Sequence, residues 1–87
     1  MASMQIWTDI NFSGTVSQVI ENDLENLGEF WNDKTSSFKI YSGEWELWSN
    51  ANFNGVALRL GPGEYPDIRQ LDPRFNDVVS SLRAFVR

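Results

Sequence analysis

Apolar residues in this chain recur at every second position, in short runs. Met4 and Ile6 alternate with polar neighbours, as do Phe38 and Ile40, Trp45 and Leu47, and Leu82, Ala84 and Val86. Val56, Leu58 and Leu60 alternate with Ala57 and Arg59, and the stretch from Thr15 to Ile20 is rich in β-branched residues. Side chains two apart share one face of a pleated strand, so each run predicts a strand with one buried face and one wet face. Gly, Asn, Asp and Ser separate the runs, which is turn chemistry. No stretch sustains a helical period, although Glu21 to Phe30 has room for a short helical turn. Pro66 and Pro73 interrupt the second half. The pattern predicts an all-β chain, folded as a two-sheet antiparallel β-sandwich with about four strands from each half.

The chain also repeats itself. Trp7-Thr8-Asp9-Ile10-Asn11-Phe12-Ser13-Gly14 aligns with Trp48-Ser49-Asn50-Ala51-Asn52-Phe53-Asn54-Gly55, 41 residues later. Asn32-Asp33-Lys34-Thr35-Ser36-Ser37 aligns with Asn76-Asp77-Val78-Val79-Ser80-Ser81, 44 residues later, and Leu27 pairs with Leu71 at the same offset. The extra residues of the second copy fall between Gly55 and Leu71, with Gly61-Pro62-Gly63 as their expected place. Self-similarity at such a period is a fold-level signal, and two copies imply one domain built of two motifs. The first repeated segment reads as a hairpin folded across its own aromatics, Trp7 with Phe12 and Trp48 with Phe53. Gly14 and Gly55 permit the turn.

The second repeated segment carries the candidate chemistry. Its matching positions are short and oxygen-bearing. Its variable positions, Lys34, Thr35, Val78 and Val79, are expected to contribute backbone alone. A loop of carboxylate, amide, hydroxyl and peptide oxygens suits a hard cation such as calcium, and two loops suggest two sites.

Composition narrows the alternatives. At 87 residues the chain is one small domain, and with no cysteine it holds no disulfide. Without Cys or His the common acid-base and nucleophilic arrangements are missing, so no enzyme is expected. The net charge of −5 argues against nucleic acid, which is bound through clustered Lys and Arg. There is no apolar run long enough to insert in a membrane and no signal-peptide pattern, and the compartment is left open. Met1-Ala2-Ser3 reads as an expression scar. An EF-hand starting at Asp23 fails, because Lys34 stands where a bidentate Glu is needed. Gly61-Pro62-Gly63 lacks the Lys and Ser/Thr that complete a phosphate-binding loop. Glu21, Asp23, Glu25 and Glu29 read as a solvated connection. A sugar- or protein-binding module using exposed aromatics is the rival reading. Trp31 and Trp45 are least tied to the hairpin pattern, and their alternation with polar neighbours favours the core. A monomer is expected.

Aromatic, four residues, aromatic, any residue, glycine is the Greek-key hairpin pattern of the βγ-crystallins. Asn or Asp twice, two variable residues, Ser or Thr, then Ser is that family's calcium loop. Both copies fit both patterns, in order, so the chain resembles the microbial calcium-binding βγ-crystallins over roughly residues 4–86. Gly61-Pro62-Gly63-Glu64-Tyr65-Pro66 resembles the tyrosine-corner segment of the family's B-type motif. That implies an A-type motif over about 4–42 and a B-type motif over about 43–87. The resemblance also implies two calcium ions held by exchanged ligands. One site would use the Thr8 and Lys34 carbonyls, the Ser36 hydroxyl and the Asp77 carboxylate. The other would use the Ser49 and Val78 carbonyls, the Ser80 hydroxyl and the Asp33 carboxylate. Asn32 and Asn76, with Ser37 and Ser81, would hydrogen-bond the loop backbone. One carboxylate per ion implies affinity of roughly 10⁻⁶ to 10⁻³ M.

Overall fold

The structure is a computed structural model that describes residues 2–75 and 78–85. Asn76, Asp77 and Val86 therefore lie outside the described residues. Among the described residues, seven strands form two antiparallel sheets. The strands are β1 (Ser3–Asp9), β2 (Ser13–Val16), β3 (Ser37–Ser42), β4 (Glu44–Asn50), β5 (Asn54–Leu60), β6 (Gly63–Tyr65) and β7 (Ser81–Phe85). One sheet runs β2-β1-β3-β6 and the other β5-β4-β7. Two single-turn helices, α1 (Gly28–Trp31) and α2 (Ile68–Leu71), sit in the connections.

The predicted alternation becomes the core. Met4, Ile6, Phe38 and Ile40 point inward from the first sheet; Trp45, Leu47 and Leu82 meet them from the second. Ile68, Phe75 and Val79 belong to the same buried cluster. Val56, Leu58 and Leu60 of β5 are half-buried against it. At 0 % exposure Trp45 is core, so it can serve no surface platform.

The strand expected over Thr15 to Ile20 ends early. Ser17 accepts a hydrogen bond from the Ile6 N–H on its hydroxyl and gives its own N–H to the Ile6 carbonyl. The hydroxyl then donates to the Gln18 carbonyl, and the chain turns off the sheet edge. The halves also do not share their strands as expected. The first half supplies three named strands, and β6 of the second half pairs with β3 of the first. In exchange, the first half reaches across to the second sheet. Leu24 and Leu82 trade both backbone hydrogen bonds, at 2.8 and 2.9 Å. Each sheet thus carries backbone pairing from both halves.

Ala2 and Ser3, read from the sequence as part of a scar, carry structure. Ala2 is buried in the core cluster, and Ser3 opens β1 with its hydroxyl 2.9 Å from that of Ser42. The Tyr65 hydroxyl donates back to the Gly61 carbonyl at 2.8 Å, which fixes the turn into β6.

Candidate metal centre

Each hairpin is built the same way. Asn11 and Phe12 take left-handed backbone at φ 57°, and Asn52 and Phe53 do so at 58° and 56°. An aromatic residue seldom sits there, so something must hold it. The clamp is the last serine of the repeated loop. Ser37 donates to the Asp9 carbonyl and accepts from the Phe12 N–H, at 2.6 and 3.1 Å. Ser81 repeats this with Asn50 and Phe53 at 2.6 and 3.2 Å. These serines bind the hairpin, which adjoins the loop, and are themselves fully buried.

The residue after each hairpin tryptophan is also pinned. The Thr8 hydroxyl accepts from Thr15 N–H at 3.0 Å, and the Ser49 hydroxyl from Val56 N–H at 2.9 Å. Room for these hydroxyls exists because Gly14 and Gly55 lack a Cβ, which would stand 2.2 Å from either one. The family resemblance implies a role for the carbonyls of Thr8 and Ser49 alone. The signal for the hydroxyls was the Thr/Ser match opposite an invariant spacing to glycine.

The loops lie against these hairpins. Ser36 N–H bonds the Trp7 carbonyl at 3.0 Å, and Ser80 N–H bonds the Trp48 carbonyl at 2.9 Å. From the far side, each loop is held by the other half. Ile68 N–H donates to the Ser36 carbonyl at 2.9 Å, and Leu27 N–H to the Ser80 carbonyl at 3.0 Å. Ile68 is positioned by α2, which Asp67 caps through Arg69 N–H. Hydrogen bonds from the Arg69 side chain hold the Asp67 carboxyl below its usual range, and Arg74 does the same for Asp72 beyond α2.

Oxygens converge where the two halves meet. Ser80 Oγ is 3.1 Å from Asp33 Oδ1, 2.8 Å from Asn32 Oδ1 and 3.5 Å from the Val78 carbonyl. Asp33 is presented from left-handed backbone at φ 60°, with its N–H bonded to the Val79 carbonyl. Ser49 lines the same open recess of about 610 Å³. Thus Asp33, Val78 and Ser80 come together and Ser49 borders them. A second recess of about 290 Å³ is lined by Thr8, Lys34, Asp9 and Asp33. Asp77 lies outside the described residues. The Lys34 ammonium lies over the Phe30 ring, 5.9 Å from its centroid.

Four features depart from the sequence expectations. Ser37 and Ser81 bond the hairpin backbone, where bonds to the loop backbone were expected. The Asn32 side chain accepts from Ser80 of the other half, where a bond to its own loop backbone was expected. Thr35 and Val79 are fully buried, so these variable positions supply core volume as well as backbone. Asn26, Gly28 and Glu29 border the larger recess and were missed, because they belong to the connection read as solvated. The recesses offer oxygen ligands, with the Asp33 carboxylate lining both, Glu29 the larger and Asp9 the smaller, which is hard-cation chemistry. Among the described residues, no three acidic side chains gather at one point.

The Beta/Gamma crystallin family model matches residues 3–85. The chain belongs to the βγ-crystallin family. A βγ-crystallin from an archaeon superposes with a TM-score of 0.86 at 32 % identity, over 97 % of this chain and 98 % of that one. The βγ-crystallin of Ciona intestinalis gives 0.82 at 26 % identity, over 95 % and 99 %. The Epidermal differentiation-specific protein of Cynops pyrrhogaster is 36 % identical over 84 residues, which is 95 % of this chain and 23 % of that protein. The chain spans less than half the length of several further curated relatives. Both sheets and their strand exchange are thus the βγ-crystallin sandwich. Among the described residues of this domain, no helix is long and apolar enough to cross a membrane.

Proposed function

We propose that this βγ-crystallin domain binds two calcium ions where its halves meet, and that the ions stabilise the fold. The observation that carries the reading is the approach of Ser80 Oγ to Asp33 Oδ1 and the Val78 carbonyl, within 3.1 and 3.5 Å. Asp33 comes from the first half and Val78 and Ser80 from the second, which is the exchanged set that the family resemblance implies. In one site Asp33, Val78, Ser80 and Ser49 hold the ion. In the other, Asp77, Lys34, Ser36 and Thr8 do so. The Ser80 hydroxyl proton has three acceptors within reach, Asn32, Asp33 and the Val78 carbonyl; around a cation its oxygen would turn a lone pair inward. Calcium supplies charge that offsets the carboxylates, and two ions would bring the net charge from −5 to −1. On this reading motif 1 is A-type and motif 2 B-type, supported by the Tyr65 bond to Gly61.

Because each ion joins both halves, calcium and folding are linked. With free calcium about 100-fold above the dissociation constant, one site adds roughly 2.7 kcal/mol. Calorimetry on chelator-stripped protein, with melting curves alongside, tests this. Two ions per chain and a rising melting temperature are expected. A stoichiometry well below two, with a melting temperature unmoved by excess calcium, would overturn it.

A further inference from the structure

Beside α1 the surface opens into a groove of about 410 Å³, distinct from both oxygen-lined recesses. Its walls are Ile6, Val19, Ile20, Leu24, Leu27 and Trp31. Ile6 belongs to the core, Trp31 is half-buried, and Val19 stands 51 % exposed at the mouth. A cavity of this size with apolar walls is typical of a ligand or peptide site. The rim decides among occupants. Glu21 lines the groove, Asp23 and Glu25 follow it in the chain, and Glu29 borders the larger oxygen-lined recess instead; from Ser17 to Trp31 there is no Lys or Arg. All four acids are exposed, and the ion pairs formed among the described residues lie elsewhere. Asp23 also accepts the Ala84 N–H, which fixes this stretch against β7.

An acidic rim repels fatty carboxylates, anionic membranes and nucleic acid, and attracts cations. We propose that the groove docks a short peptide segment of a partner protein, with aliphatic or aromatic anchors flanked by lysine or arginine. The anchors fill the space between Val19, Leu24 and Trp31, where burial of apolar surface drives association. The flanking cations meet Glu21 and its neighbours, which sets orientation and speeds encounter.

The test uses the isotope-labelled protein in excess calcium, with a chelator-treated sample alongside, so that shifts caused by calcium are told apart from shifts caused by the peptide. The probe is a synthetic amphipathic peptide of leucine and lysine, followed by amide and indole chemical shifts. Saturable shifts confined to residues 17–31, including the Trp31 indole, are expected. Val19→Asp should weaken binding at least about tenfold, since it places a charge among the anchors. Glu21→Lys should weaken it several-fold and flatten its salt dependence. Both positions are exposed, so both variants should melt like the parent. The proposal falls if the shifts map elsewhere, or if neither variant changes the affinity. It also falls if a lysine-serine peptide or a leucine-glutamate peptide binds as well. Saturation by laurate with the same shifts, and none with the peptide, would reassign the groove to an acyl chain.

Discussion

Replacing Thr35 by valine should stabilise this domain. Thr35 is 0 % exposed, and among the described residues its hydroxyl has no hydrogen-bond partner. A buried hydroxyl without a partner costs about 1–3 kcal/mol on the scale of protein substitutions. Valine keeps the branched shape and exchanges the hydroxyl for a methyl. The counterpart position in the second loop is already valine, and Val79 is equally buried. Because a methyl is slightly larger than a hydroxyl, packing should return part of the gain. The expected net effect is about 1 kcal/mol, or roughly 4–8 °C in melting temperature for a domain of this size. Urea unfolding with and without calcium measures it, and an unchanged slope would show that the compact states are comparable. Thr35→Ser is the control. It keeps the hydroxyl and deletes the methyl, so it should cost about 1 kcal/mol. If Thr35→Val instead loses 1 kcal/mol or more, the hydroxyl is satisfied in solution and the argument is wrong.

On the proposed reading, Asp33→Asn keeps the acceptor for Ser80 and removes the charge, so calorimetric stoichiometry should fall from two toward one while the calcium-free melting temperature stays within about 2 °C. Gly55→Ala should cost about 2–3 kcal/mol in urea unfolding, because φ is +88° and the new Cβ would meet the Ser49 hydroxyl at 2.2 Å. Ser81→Ala should cost about 1–3 kcal/mol in the same assay, since it strands the Asn50 carbonyl and the Phe53 N–H. The carboxyls of Asp67 and Asp72 are held low by Arg69 and Arg74, so their contribution is intact above the ordinary carboxylate range. It is lost as pH falls through their folded values, and acid unfolding of Asp67→Asn with Asp72→Asn should be less steep below about pH 4.

The strands were legible because burial on one face imposes a period of two, and Met4 with Ile6 or Trp45 with Leu47 carry it without interruption. Where β2 stops was not legible, because the Ser17 hydroxyl replaces a strand contact with a local one and serine has no pattern of its own. Strand exchange was hidden for a different reason. Periodicity tells which face of β6 is buried but not that its partner is β3, 23 or more residues away along the chain. Within the loops, duplication pointed to Asp33 and Ser80 directly. It could not separate Asn32 binding its own loop from Asn32 binding Ser80 across the halves, since both uses need the same short amide. α2 went unread because a single turn offers no period, and its one signal was Asp67 after Pro66.

The same contacts that make the recess also hold the sandwich shut. Leu27 N–H reaches Ser80 from the first half, Asp33 N–H reaches Val79, and Leu24 pairs with Leu82. In each, the first half grips the loop or the last strand of the second. A carboxylate on left-handed backbone at φ 60° is an unusual place to spend stability, yet Asp tolerates that conformation better than most residues. The conformation carries the Asp33 side chain toward Ser80 while its N–H stays bonded to the other half. On the proposed reading, a cation there acts on the seam and not on a peripheral loop. Its release should therefore loosen the contact between halves before it disturbs either sheet. Hydrogen exchange in chelator would accordingly rise first at Leu24, Leu27 and Asp33, with Ile6 and Leu47 still protected. Uniform loss of protection across both sheets would place the ion's influence in the core and break this account.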